Sequence, residues 1–145
     1  MNLVIAKTED EERLLEIFHS NVPKYFDVSE VAPFVEFLKK ELTTYFVCLD
    51  KDHIVGAGGY MELELGEARI CWIMVEAKLH GKGVGRFMMQ EFAQKIRADK
   101  NYTRITLKTT QFTDKFYEKL GYKTTYFEKD FWIPGWHLYF MEQAV

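Results

Sequence analysis

The residues best suited to chemistry are His80-Gly81-Lys82-Gly83-Val84-Gly85-Arg86. Three alternating glycines let a bulky group approach the backbone, because no Cβ obstructs it and positive φ is allowed. The segment lies between an apolar run, Ile70-Cys71-Trp72-Ile73-Met74-Val75, and a stretch of helical periodicity that ends near Ala98. A helix beginning right after the loop turns its unpaired N–H groups and the positive end of its dipole toward whatever the loop holds. Such a terminus suits phosphate or pyrophosphate. Lys82 and Arg86 add full charge at a helix start, where cations are otherwise unfavourable, and this favours an anionic ligand over plain surface charge. The spacing is not a Walker A loop, since Gly81-Lys82 is followed by Gly83 rather than Ser or Thr. It also misses the dinucleotide fingerprint, because the glycines alternate and do not follow the opening strand of the chain.

The other reactive side chains converge on no legible site. His19, His53, His80 and His137 lack metal-ligand spacing with one another and with Cys48 and Cys71, so no metal is expected. Both cysteines lie in apolar strand-like runs and read as buried, inert thiols of a reducing compartment. Glu62 and Glu64 alternate with Tyr60 on one strand face, and Glu30 starts a helix. Each could drain a proton from an ammonium group, and each also reads as a solvated strand face or helix turn; the general base stays unassigned. Tyr25, Phe26, Trp132 and Trp136 could wall an acceptor pocket, although packing accounts for most such aromatics.

Elements must hold these groups. Residues 3–6 read as a short strand. Thr8-Glu9-Asp10-Glu11 has the form of a capping box, with Leu14, Ile17 and Phe18 at helical spacing behind it. A second helix is expected with Ser29 as N-cap, Pro33 tolerated in its first turn, and Val31, Phe34, Val35, Leu38 and Leu42 as its apolar stripe. Residues 21–28 between the helices form a loop that could line a pocket. Strands over 45–49, 53–63 and 68–75 are joined by the short turns Asp50-Lys51-Asp52 and Leu65-Gly66-Glu67, so they are antiparallel neighbours. The glycine loop and a helix with Val84, Phe87, Met88, Phe92 and Ile96 on one side separate 68–75 from a strand over 103–109. A unit of that length makes a parallel pair with a right-handed crossover. The loop then opens at the C-terminal edge of a strand, where ligands of α/β proteins bind. Thr113 or Asp114 caps a short helix that Gly121 ends, and strands over 122–127 and 136–142, joined through Pro134-Gly135, close the chain. The expected fold is mixed α/β (α+β): a mostly antiparallel central sheet with one parallel pair and flanking helices.

A chain of 145 residues fits a single domain, 1–145. With 48% hydrophobic and 28% charged residues it has the composition of a soluble globular protein. A net charge of −3 argues against generic binding to nucleic acid or to an anionic membrane. No apolar run approaches the roughly 18 residues of a membrane span, and no basic-plus-apolar leader opens the chain, so a cytoplasmic protein is expected.

In element order and in two motifs, over nearly its whole length, the sequence resembles the GNAT superfamily of N-acetyltransferases. The family's loop is commonly Gln/Arg-x-x-Gly-x-Gly/Ala, matched by His80-Gly81-Lys82-Gly83-Val84-Gly85, and the Val that typically ends its preceding strand is matched by Val75. Its second motif, Tyr-Glu-Lys-Leu-Gly-Phe, is matched by Tyr117-Glu118-Lys119-Leu120-Gly121-Tyr122. His80 stands where Gln or Arg is usual, peripheral to the backbone cradle; Thr110 and Thr113 stand where Asn and Ala are frequent.

The resemblance implies acetyl-CoA, or another acyl-CoA, as acyl donor. Its pyrophosphate would lie on the amides of His80, Gly81, Lys82, Gly83, Val84, Gly85 and Arg86. Its pantetheine arm would run along the strand ending at Val75 and touch Thr110. Backbone N–H groups of Ile73, Met74 and Val75 would polarise the thioester carbonyl, and Tyr117 would protonate the departing thiolate as an amine attacks directly. Read from the residues alone, Tyr117 stands equally well as a packing residue against Phe116 and the sheet. The implied acceptor is a primary amine of a small molecule or peptide, and the acidic balance fits a cationic amine slightly better than an acidic one. Two rivals remain: a non-catalytic acyl-CoA sensor, and a phosphate or nucleotide binder of another fold. Apolar strand edges or the aromatic C-terminal hairpin could support a homodimer.

Overall fold

The structure, a computed structural model, describes residues 1–40 and 42–145. In chain order its elements are β1 (Asn2–Ile5), α1 (Glu11–Ser20), α2 (Val31–Leu38), β2 (Tyr45–Asp50), β3 (His53–Leu63), β4 (Glu67–Val75), α3 (Val84–Ala98), β5 (Arg104–Thr109), α4 (Asp114–Lys119), β6 (Lys123–Ile133) and β7 (Trp136–Ala144). The strands form a seven-stranded sheet in the order β1-β2-β3-β4-β5-β7-β6. β4 and β5 run parallel, as the long helical connection between them requires, and the sheet is otherwise mostly antiparallel. The expected mixed α/β architecture is the one observed.

Several boundaries differ from the sequence reading, each for a local reason. Thr8 does not cap α1. Residues Thr8–Asp10 form a 3-10 turn, and the Asp10 carboxylate instead accepts the Lys7 N–H at 2.8 Å. Ser29 does not cap α2 either: Asp27 accepts the Ser29 N–H at 3.0 Å, while Glu30 reaches back to the Asp27 N–H at 2.9 Å. This reciprocal arrangement satisfies two orphan amides two residues upstream of the expected position. α2 also stops at Leu38, so Leu42 lies outside its stripe. Glu64 falls in the 3-10 turn after β3 and does not share a strand face with Glu62 and Tyr60. β6 runs on to Ile133 although its first nine residues are solvent-exposed, a strand with no buried face for a hydrophobic pattern to reveal.

The chain divides into two compact units. The first comprises Met1–Tyr60 with Trp72–Phe92. β2 is buried along Tyr45-Phe46-Val47-Cys48, a continuous apolar run suited to a strand covered on both faces. Phe18 stacks between Phe26 and Phe34, with ring centroids at 4.6 and 4.9 Å. Phe92 of α3 lies 6.1 Å from Phe46, and Met88 beside it is fully buried.

The second unit comprises Met61–Cys71 with Ala93–Val145. Glu67 and Arg69 of β4 pair in register with Arg104 and Thr106 of β5. Glu67 is 8% exposed; it accepts from Thr106 Oγ1 at 2.6 Å and from Arg69 at 2.6 Å, and Arg104 lies at 3.0 Å. Burial by itself would raise this carboxyl's pKa, but the hydrogen bonds from Thr106 and Arg69 and the two guanidinium charges hold it below the ordinary value. Polar side chains thus fasten the parallel β4–β5 pairing.

Candidate functional site

The glycine loop has the backbone its sequence demands. Gly81 and Gly83 take φ of +78° and +89°, conformations that favour glycine, and a Cβ at either position would meet nothing within 4 Å. The space before both residues is open. Gly85 lies within α3. The first bond of that helix runs from Phe87 N–H to Gly83 O at 3.0 Å, so the amides of Val84, Gly85 and Arg86 precede the intrahelical ladder. Lys82 and Arg86 are exposed and make no ion pair among the described residues. Open space, unbonded amides and two uncommitted cations on one short segment fit a diphosphate group.

The strand that leads into the loop is distorted. Trp72 has φ of +44°, a genuine outlier for a bulky residue, and its surroundings over-determine it. Its ring lies 5.2 Å from Phe34, 6.1 Å from Phe18 and 6.2 Å from Phe37, and its carbonyl accepts from Tyr45 Oη at 2.7 Å. Ile73, Met74 and Val75 follow this kink. The Val75 carbonyl accepts from Asn21 Nδ2 at 2.9 Å and from His80 Nε2 at 2.9 Å. His80, which the sequence places at the periphery, therefore closes the loop back onto the strand end, with Tyr25 edge-on at 4.9 Å. Asn21 is 3% exposed and bonds Ile17 O as well, so it ties α1 to the strand end. Sequence reading places Asn21 in a loop. Its partner lies 54 positions away, and no local signal announces such a bond. Arg13 adds a second tie, bonding the Ile54 carbonyl and the Glu76 carboxylate.

In the second unit, Tyr117 sits on α4. Gly121 N–H bonds Glu118 O at 3.0 Å and Tyr122 N–H bonds Tyr117 O at 3.2 Å, with Gly121 at φ +96°. These two bonds make a Schellman motif, and its characteristic hydrophobic contact is the Tyr117–Tyr122 ring pair at 6.2 Å. The Tyr117 side chain is buried. Its hydroxyl has no hydrogen-bond partner among the described residues, and no fully enclosed polar side-chain atom lacks a partner. The oxygen is therefore not completely enclosed. Burial first, and the neighbouring Tyr122 second, push its pKa above the ordinary phenol value, so the group holds its proton. Thr110 opens the turn before α4: its carbonyl accepts from Thr113 N–H at 3.2 Å and Asp114 N–H at 3.1 Å, and its hydroxyl accepts from Phe112 N–H at 3.2 Å.

Glu30 commits one oxygen to the Asp27 amide, and burial raises its pKa. Cys48 and Cys71 are pushed up to about 11 and about 12 by desolvation, so neither supplies a thiolate near neutral pH. Among the described residues no three His, Cys, Asp or Glu side chains gather as a metal site.

The acetyltransferase (GNAT) domain family matches residues 6–142. No curated protein matches the chain. Among solved structures the chain is similar to Ard1 from Thermoplasma volcanium, with a TM-score of 0.83 and 20% identity over 99% of this chain and 97% of that one. It is also similar to an aminoglycoside 6'-N-acetyltransferase complexed with coenzyme A, with a TM-score of 0.78 and 15% identity over 99% and 97%. A third is yncA from Salmonella typhimurium with acetyl-CoA, with a TM-score of 0.75 and 12% identity over 99% and 93%. At these identities the structures establish the shared fold. The family match spans nearly the whole sequence, glycine loop and Tyr117 motif included, and the chain belongs to the GNAT acetyltransferases.

Proposed function

We propose that the protein is an acetyl-CoA-dependent N-acetyltransferase that acetylates a primary amine of a small molecule or peptide by direct attack. The observation that carries this reading is the loop: Gly81 and Gly83 at positive φ before open space, flanked by Lys82 and Arg86. Coenzyme A and acetyl-CoA in the two complexes named above support the same donor.

Acetyl-CoA supplies an activated acetyl group as a thioester. The backbone amides and charges of residues His80 to Arg86 bind its diphosphate. Ile73, Met74 and Val75, beyond the kink at Trp72, offer backbone N–H groups to the acyl carbonyl; donors of this kind contribute on the order of 3 kcal/mol each. Thr110 contacts the pantetheine arm. Tyr117, which keeps its proton near neutral pH, gives it to the sulfur as the C–S bond breaks, while the proton shed by the attacking nitrogen passes to solvent; general-acid assistance of this kind is typically about 10²- to 10⁴-fold.

Thermal denaturation with acetyl-CoA and with ATP tests the donor. Acetyl-CoA at about 100 times its Kd stabilises by roughly 2.7 kcal/mol, a rise of several degrees in Tm. Release of free thiol with spermidine, an aminoglycoside and a peptide beginning with alanine then tests transfer and sorts the acceptor. Protection by ATP without protection by acetyl-CoA overturns the reading.

A further inference from the structure

Gln111 belongs to neither sequence motif, yet its amide bonds the tip of the β6–β7 hairpin in both directions. Nε2 donates to Gly135 O at 2.6 Å, and Oε1 accepts the His137 N–H at 3.0 Å. Two neighbours reinforce the join: Trp132 Nε1–H donates to Thr109 O at 3.3 Å, and the Phe112 ring meets Trp136 edge-on at 5.2 Å. The Gly135 N–H is taken by Asp130 Oδ1 at 2.6 Å, and the Asp130 N–H by His137 Nδ1 at 3.0 Å. The β6–β7 register breaks between Glu128 and Ile133, and side chains satisfy the hairpin's backbone there.

This join matters because α4 is six residues long, too short to hold its own axis. Its C-terminal end is fixed by the Schellman motif at Gly121. Its N-terminal end has no side-chain cap, since the Thr113 hydroxyl bonds the Thr109 hydroxyl. The Tyr117 N–H reaches Thr113 O only at 3.4 Å. The start of α4 is therefore placed by the turn from Thr110 to Thr113, and Gln111 is the residue of that turn bonded to the hairpin backbone at two points.

We infer that Gln111 is a positioning residue: by pinning the turn before α4 to the hairpin tip, it sets where α4 begins and hence where the Tyr117 hydroxyl points. Its effect on turnover rests on the proposed proton donation by Tyr117. Gln111→Met keeps the size and removes both bonds, while Gln111→Glu keeps an acceptor for His137 N–H and loses the donor to Gly135 O.

Amide hydrogen exchange on the free protein gives a readout independent of any acceptor. Exchange at Asp114, Phe116 and Tyr117, whose N–H groups bond at the start of α4, speeds at least tenfold in Gln111→Met, less in Gln111→Glu, with the α3 amides unchanged. Faster exchange confined to the hairpin tip overturns the inference. Turnover with the three amines above falls about fivefold in Gln111→Met with KM for acetyl-CoA unchanged, and this loss vanishes in a Tyr117→Phe background. An equal loss in both backgrounds means that Gln111 does not act through Tyr117. Full turnover in Tyr117→Phe alone removes the proton donor instead, and the exchange rates then judge the pinning by themselves.

Discussion

The roles proposed for Tyr117 and Gly83 are opposite in kind, one resting on a proton and one on the absence of a side chain. Tyr117→Phe removes the hydroxyl and little else, because that oxygen bonds no protein group among the described residues. Turnover is expected to fall at least tenfold while acetyl-CoA affinity, measured by calorimetry, is retained; unchanged turnover removes Tyr117 from the mechanism. In Gly83→Ala the new Cβ meets no protein atom, so the folding cost is backbone strain alone, about 1 kcal/mol. The same methyl occupies the space proposed for the diphosphate. Acetyl-CoA affinity should drop at least tenfold while Tm changes little. Wild-type affinity in this variant would show that the loop is not the cradle.

Among the elements, the β4–β5 pairing depends most on a few polar atoms. Removing the Glu67 carboxylate leaves Arg69 and Arg104 without their shared partner and Thr106 Oγ1 with one bond fewer, beside a largely buried pair. Glu67→Ala is expected to cost about 3 kcal/mol in urea unfolding. A cost below about 1 kcal/mol would mean that water replaces the carboxylate without penalty. Because the folded pKa of Glu67 is lowered, its contribution is present above the unfolded carboxylate value and is lost as pH falls through the folded one. Much of the element order was legible. Gly121 announced the end of α4 because glycine alone adopts a left-handed φ at little cost, and the helical spacing of Val84, Met88 and Phe92 announced α3. The length of β6 was not legible, since an exposed strand carries no alternation to read.

For the molecule as a whole, buried neutral acids set the alkaline limit. Cys48 and Cys71 rise from an ordinary 9.0 to about 11 and about 12 through desolvation, and burial also raises Tyr117. The unfolded chain loses these thiol protons from about pH 9 while the folded chain keeps them, so stability is full below pH 9 and declines above it. The urea midpoint should hold steady to about pH 9 and fall by pH 10.5, with a shallower fall in Cys48→Ala and in Cys71→Ala. A midpoint flat through pH 10.5 would show that neither thiol is shielded in the folded state.

Helical periodicity and the length of each connection settled the class of fold, and glycine spacing marked the loop proposed to hold the diphosphate, because each of these is written in neighbouring residues. The ties made by Asn21, Arg13, Glu67 and Gln111 could not be read that way. Their long-range hydrogen bonds span 24 to 63 positions of sequence, and a polar side chain looks the same in a string of letters whether it faces water or a distant carbonyl. Folding alone decides which carbonyl that is, because a buried polar group must find a partner wherever packing has left one.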